Sequence, residues 1–164
     1  MRLPAGWWRW ENLGGFIALI LIALTIGMFK PQFLSEANLL TILRQASPLL
    51  LAAIAQAVIV MAGEIDLSQG SAAALVSMLT VMAAKSFGTG PAILLGLLVG
   101  AALGCINGLV VTKLKVPAFI ATVGMLTYAQ GIALYLGGGV PIEFPPPSFT
   151  WLGQGYVGPI PVAA

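Results

Sequence analysis

The sequence predicts an all-α integral membrane protein of about five transmembrane helices, and three observations predict it. Of its 164 residues 59% are hydrophobic and only 7% charged, against a charged share of about 25% in soluble chains. A domain this small exposes much of its surface, and so few charges cannot keep that surface wet. The mean hydropathy is +1.02. Finally, the charges fall at intervals that leave five long uncharged runs: 18 residues between Glu11 and Lys30, 19 between Arg44 and Glu64, 18 between Asp66 and Lys85, and 27 in each of the last two, Lys85 to Lys113 and Lys115 to Glu143. A crossing needs about 20 residues, with a range of roughly 17 to 25, and a charge at mid-bilayer costs a few kcal/mol, so charge intervals delimit candidate spans.

The same counts exclude other classes. Seven Lys/Arg against five Asp/Glu give a net charge of +2, too small and too scattered for a nucleic-acid surface. With no His and one Cys, Cys105, neither an intrachain disulfide nor a usual transition-metal ligand set is available, and no metal site is expected. Cys105 reads as a small buried hydrophobe.

Taken in order, residues 1–12 form a tail with Arg2 and Arg9, in which Trp7, Trp8 and Trp10 stand at the depth of an aromatic belt. The run 13–29 is rich in Leu and Ile, and Lys30-Pro31-Gln32 follows it in place of a small-residue cleavage site, so an uncleaved anchor is expected. The run 46–62 carries Gln56 near its middle, and 67–84 mixes Ser68, Gln69, Ser71, Ser77 and Thr80 among alanines. Helices of that composition face protein or a cavity more than lipid. These two runs read as two crossings or as one re-entrant pair. The run 91–112 places Gly96, Gly100, Gly104 and Gly108 four residues apart, which strips one helix face to backbone and predicts a helix-packing seam. Asn107 lies beside that seam. The run 117–136 holds Thr122, Gly124, Thr127, Gln130 and Gly131. Residues 137–164 contain six Pro and six Gly in 28 positions and are expected to form a non-helical loop. The basic pair Lys113 and Lys115 in a tight turn places that turn in the cytoplasm, with the N-terminal tail also inside and the Pro/Gly loop outside.

Two carboxylates fall between the second and third runs, in Gly63-Glu64-Ile65-Asp66-Leu67-Ser68. Asp66 or Ser68 can cap the third helix, and both acids would favour its N-terminal dipole.

This segment, followed by Gln69-Gly70-Ser71, together with Phe33-Leu34-Ser35, Asn38-Leu39-Leu40, Ile42 to Pro48, Gly104 to Leu109 and Lys115 to Met125, resembles the permease subunit (inner-membrane translocator) of ribose-type sugar ABC importers. The likeness runs through almost the whole chain. That family's acidic motif usually reads G-G-I-D-L-S-V-G, and here Glu64 and Gln69 replace two of its residues. The resemblance implies a multi-pass protein of the bacterial plasma (inner) membrane. It implies carbohydrate transport with no catalysis and no cofactor in this chain. The implied partners are a second permease chain, cytoplasmic ATPase subunits that bind ATP, an extracytoplasmic sugar-binding protein and membrane lipid. Consistently, no G-x-x-x-x-G-K-[ST] phosphate loop is present.

Permeases of this family are about twice as long, so the chain reads as an N-terminal half, and a truncated, transport-inactive fragment is the alternative to a working subunit. An unrelated small channel is the remaining class, and it would carry flux without an ATPase. Gln56, Asn107 and Gln130 are the candidates to line the substrate path, with interhelical hydrogen bonding as the competing role.

Overall fold

The computed structural model describes residues 10–140, 142 and 145–163. Trp7, Trp8, Arg2 and Arg9, which carry part of the belt and orientation argument, lie outside the described residues, as do Glu143 and Phe144. Four described helices are long and apolar enough to cross a membrane, and Leu13–Phe29 is a shorter apolar helical stretch.

Helix α1 spans Trp10–Phe29 and stops where Lys30 precedes Pro31, because a residue before proline is pushed out of helical backbone. A single 3-10 turn, Pro31–Leu34, follows. Ser35 then starts α2. Its Oγ accepts from the Asn38 backbone N–H at 3.3 Å, and the Asn38 side chain donates to the Phe33 carbonyl at 2.7 Å.

Helix α2 is Glu36–Met61, ten residues longer at its start than the uncharged run from 46. Arg44 is no barrier to it: a long side chain some two turns from a helix end can reach the interface along its own stem. Pro48 lies inside the helix and removes one N–H from its ladder. The chain divides within α2 into two compact units, one ending at Gln45 and the other beginning at Ala46.

Within the second unit, α2 is closed two residues beyond Met61 by Gly63, whose φ of +82° is the left-handed conformation that ends a helix. The Glu64 N–H reaches back to the Ile59 carbonyl at 3.2 Å and the Gly63 N–H to that of Val60 at 2.9 Å. Helix α3 is Gln69–Phe87, α4 is Thr89–Thr112 and α5 is Ala118–Gly137. Helix α3 is the hub, packed against both α4 and α5. The core joins Leu75 of α3, Leu103 of α4, and Met125, Ala129 and Ala133 of α5. Helix α2 buries no residue.

The stretch from 137 corrects the expectation of a loop without helix: Pro147–Gln154 forms a two-turn helix, α6. The prolines are bunched ahead of it, and Pro147 falls at a first-turn position, where a missing N–H costs nothing. Phe149 packs on Ala83, Ala84 and Ala92, and the Ser148 and Thr89 hydroxyls meet at 2.6 Å, tying α6 to the α3–α4 turn. A minimal antiparallel hairpin closes the chain, β1 (Tyr156–Val157) paired with β2 (Ile160–Pro161) around Gly158-Pro159.

Candidate functional site

The α2–α3 connection brings several polar side chains together at one place. Asp66 Oδ1 accepts two hydrogen bonds from Ser68, from its backbone N–H at 2.7 Å and its hydroxyl at 2.6 Å. Ser68 stands at the N-cap position of α3 but makes no side-chain cap bond, so the acceptor at this helix start comes from Asp66. Thirty-nine residues further along the chain, Asn107 of α4 donates through Nδ2 to the Ser68 hydroxyl at 2.9 Å. Ser68 is only 2% exposed, which puts this Asp66–Ser68–Asn107 chain in a setting where a polar group without partners would be costly. One residue into α3, the Gln69 amide meets the Gln56 side chain of α2, Nε2 to Oε1 at 2.8 Å. With that amide turned over, its nitrogen donates to the Ala52 carbonyl at 3.1 Å, so either orientation ties α3 to α2.

These groups border a cavity of about 440 Å³ between α2, the 62–68 loop, α3 and α4. Its wall is small and apolar, with Pro48, Ala52, Ala73 and Gly104 among its residues, and its polar groups are Asp66, Ser68, Gln69 and Asn107. A larger hollow of about 650 Å³ beside α6 offers, among the described residues, only the hydroxyls of Ser77 and Thr80 as polar side-chain groups. The polar cavity therefore has the chemistry of a solute site: a few convergent hydrogen-bonding groups on apolar walls.

Of the candidates named from sequence, Gln56 and Asn107 come together here, one bonded to a lining residue and the other lining the cavity itself. Gln130 does not join them; it is exposed on α5. Within the acidic motif, Asp66 and Ser68 face the cavity, whereas Gly63 serves the turn, and Glu64, Ile65 and Leu67 are exposed. The α4 glycines divide. A Cβ at Gly96 would collide with the Thr80 hydroxyl of α3, and one at Gly100 would sit 3.8 Å from Val76. Beside Gly104 and Gly108 nothing lies within 4 Å of that position. Cys105, expected inside, is exposed, because it lies on the flank of α4 away from Leu103. Sequence reasoning missed the pairing of Gln69 with Gln56. The signal available was two carboxamides, one on each side of a tight acidic turn.

Residues 38–153 match the family described as branched-chain amino acid transport system / permease component. The chain is 38% identical over 152 residues to the ribose import permease protein RbsC of Haemophilus influenzae, covering 90% of this chain and 47% of that protein. It is 38% identical over 158 residues to RbsC of Bacillus subtilis, covering 94% and 49%. To the xylose/arabinose import permease protein XylH of Sulfolobus acidocaldarius it is 36% identical over 155 residues, covering 90% and 43%. The chain thus spans about half the length of the curated relatives it matches. No solved structure matches it.

Proposed function

Because the chain belongs to the family of branched-chain amino acid transport system permease components, a multi-pass family of the plasma (inner) membrane, we propose that it is the membrane-spanning subunit of an ATP-driven importer for sugars of the ribose and xylose type. The observation that carries this reading is 38% identity to ribose import permeases over nine-tenths of the chain. The cavity supports it physically, since amides, a hydroxyl and a carboxylate on apolar walls suit a neutral solute rich in hydroxyl groups.

In this reading the chain carries out no catalysis and holds no cofactor. ATP is bound by cytoplasmic ATPase subunits, a second permease chain completes the pathway, and an extracytoplasmic binding protein delivers the sugar. Opening alternates between the two sides as packed helices shift. Lys113 and Lys115 set the orientation, holding the α4–α5 turn and the 62–68 loop inside and α6 outside. Gln56 and Asn107 lie on the path, whereas Gln130, exposed on α5, takes no part in it.

The test is purification of the tagged chain with its bound subunits from native membrane, followed by reconstitution in vesicles. ATP-dependent uptake of labelled ribose or xylose is expected. Uptake that proceeds equally without ATP, or an assembly with no ATPase that moves no sugar, would overturn the reading.

A further inference from the structure

The polar cavity has an electrostatic sign. Among the described residues its lining includes one carboxylate, Asp66, and no Lys or Arg. Asp66 commits a single oxygen, Oδ1, to both Ser68 bonds, and Asn107 commits its Nδ2 to Ser68. Among the described residues, Asp66 Oδ2 and Asn107 Oδ1 accept no hydrogen bond. Two acceptors are therefore left over at the edge of a cavity large enough for a small solute, on side chains from different elements that the buried Ser68 hydroxyl holds in register.

We propose that Asp66 and Asn107, held by Ser68, form a selectivity site that accepts neutral polyhydroxylated solutes and rejects anionic ones. Hydroxyl groups of the solute donate to Asp66 Oδ2 and Asn107 Oδ1, and the second Asn107 N–H donates to a solute oxygen. A phosphate or carboxylate on the solute brings no donor to these acceptors and meets a like charge across apolar walls that screen it poorly. The polyol half of the proposal rests on the sugar-permease reading, whereas the charge selectivity rests on the cavity alone.

The experiment uses the full chain in lipid nanodiscs with Cys105→Ser and a cavity-wall reporter, Ala73→Cys. Labelling rates are measured with cationic and anionic thiosulfonate reagents, each normalised to its rate on a free thiol. The cationic reagent is expected to react faster by about tenfold or more, as one nearby unit charge implies between watery and interior screening. Asp66→Asn, which keeps an acceptor oxygen and removes the charge, should bring the ratio to within about threefold of unity, while Glu64→Gln should leave it within about twofold of the parent. Asn107→Asp, which adds a carboxylate, should raise it, and this second variant decides the matter if Asp66→Asn fails to fold. A ratio that ignores Asp66→Asn, a ratio that follows Glu64 instead, or a reporter that no reagent reaches would each overturn the proposal. Ribose at high millimolar concentration should slow labelling of the parent several-fold; no protection would overturn the polyol half. An intact labelling ratio alongside failed ATP-driven uptake would remove the importer reading and leave the charge selectivity standing.

Discussion

Lys115 stands at φ +58°, the one non-glycine residue with a positive φ among those described. It sits where α4 unwinds, with the Leu114 N–H on the Leu109 carbonyl at 3.3 Å and the Val116 N–H on that of Val110 at 3.4 Å. A Cβ in left-handed backbone costs about 1 to 2 kcal/mol, offset in part by the greater freedom glycine has when unfolded. Lys115→Gly should therefore raise unfolding free energy in detergent titrations by up to about 1 kcal/mol, and Lys115→Val should lower it, since branching at Cβ suits this region worst. The sequence identified Lys113 and Lys115 by charge and gave no sign of the strain, because backbone conformation in a five-residue turn is set by the helices on both sides. The expectation that Asp66 or Ser68 caps α3 is met only in part: the Asp66 carboxylate accepts the Ser68 N–H just before the helix, while Ser68 at the N-cap makes no side-chain cap bond. The bond from Asn107 to Ser68 spans 39 positions and becomes visible only once α3 and α4 are packed.

At the scale of the element, the α4 glycines separate what periodicity alone joined. All four repeat at four-residue spacing, yet α3 approaches the helix closely at Gly96 and only loosely at Gly100, leaving Gly104 and Gly108 open. Gly96→Ala would force the Thr80 side chain, already donating to the Val76 carbonyl at 2.6 Å, out of its place. The expected loss is about 1 to 3 kcal/mol of stability. Gly104→Ala should be neutral or favourable by up to about 1 kcal/mol, since it adds helix propensity without a clash. Equal losses at 96 and 104 in the same unfolding titration would contradict this division. Periodicity showed which residues share a face and could not show how far along that face a neighbour reaches. Boundaries failed for a related reason. Charge spacing measures the apolar part of a helix, so it missed the first ten residues of α2, which are set by Ser35 and Asn38. Averaging composition over 28 residues hid α6, whose five central positions contain neither Pro nor Gly.

Across the second unit, α3 carries a different specialisation at each end. Its first residue adjoins Ser68 and the polar cavity; its last turns present Ala83 and Ala84 to Phe149 of α6. Sixteen residues separate Ser68 from Ala84, or about 24 Å of helix, and the apolar core of Leu75, Leu103 and Met125 lies between. Composition gave the number of apolar runs but not which of them would be central, because α2 and α4 are at least as apolar as α3. The hub is instead the helix whose small residues let two neighbours approach. That arrangement predicts energetic independence of the two ends. Phe149→Ala removes a half-buried ring and should cost about 1 to 2 kcal/mol, less than a full core truncation. Asn107→Leu deletes the donor to Ser68 and should cost about 0.6 to 1.7 kcal/mol, the range for interhelical hydrogen bonds in membranes. Sites this far apart with no shared partner add to within about 0.5 kcal/mol, so the double variant should lose the sum of the two. Amide exchange should rise in α6 for the first variant alone and around residue 68 for the second alone. A coupling of 1 kcal/mol or more, or faster exchange at the far end in either single variant, would show α3 transmitting between the cavity and α6.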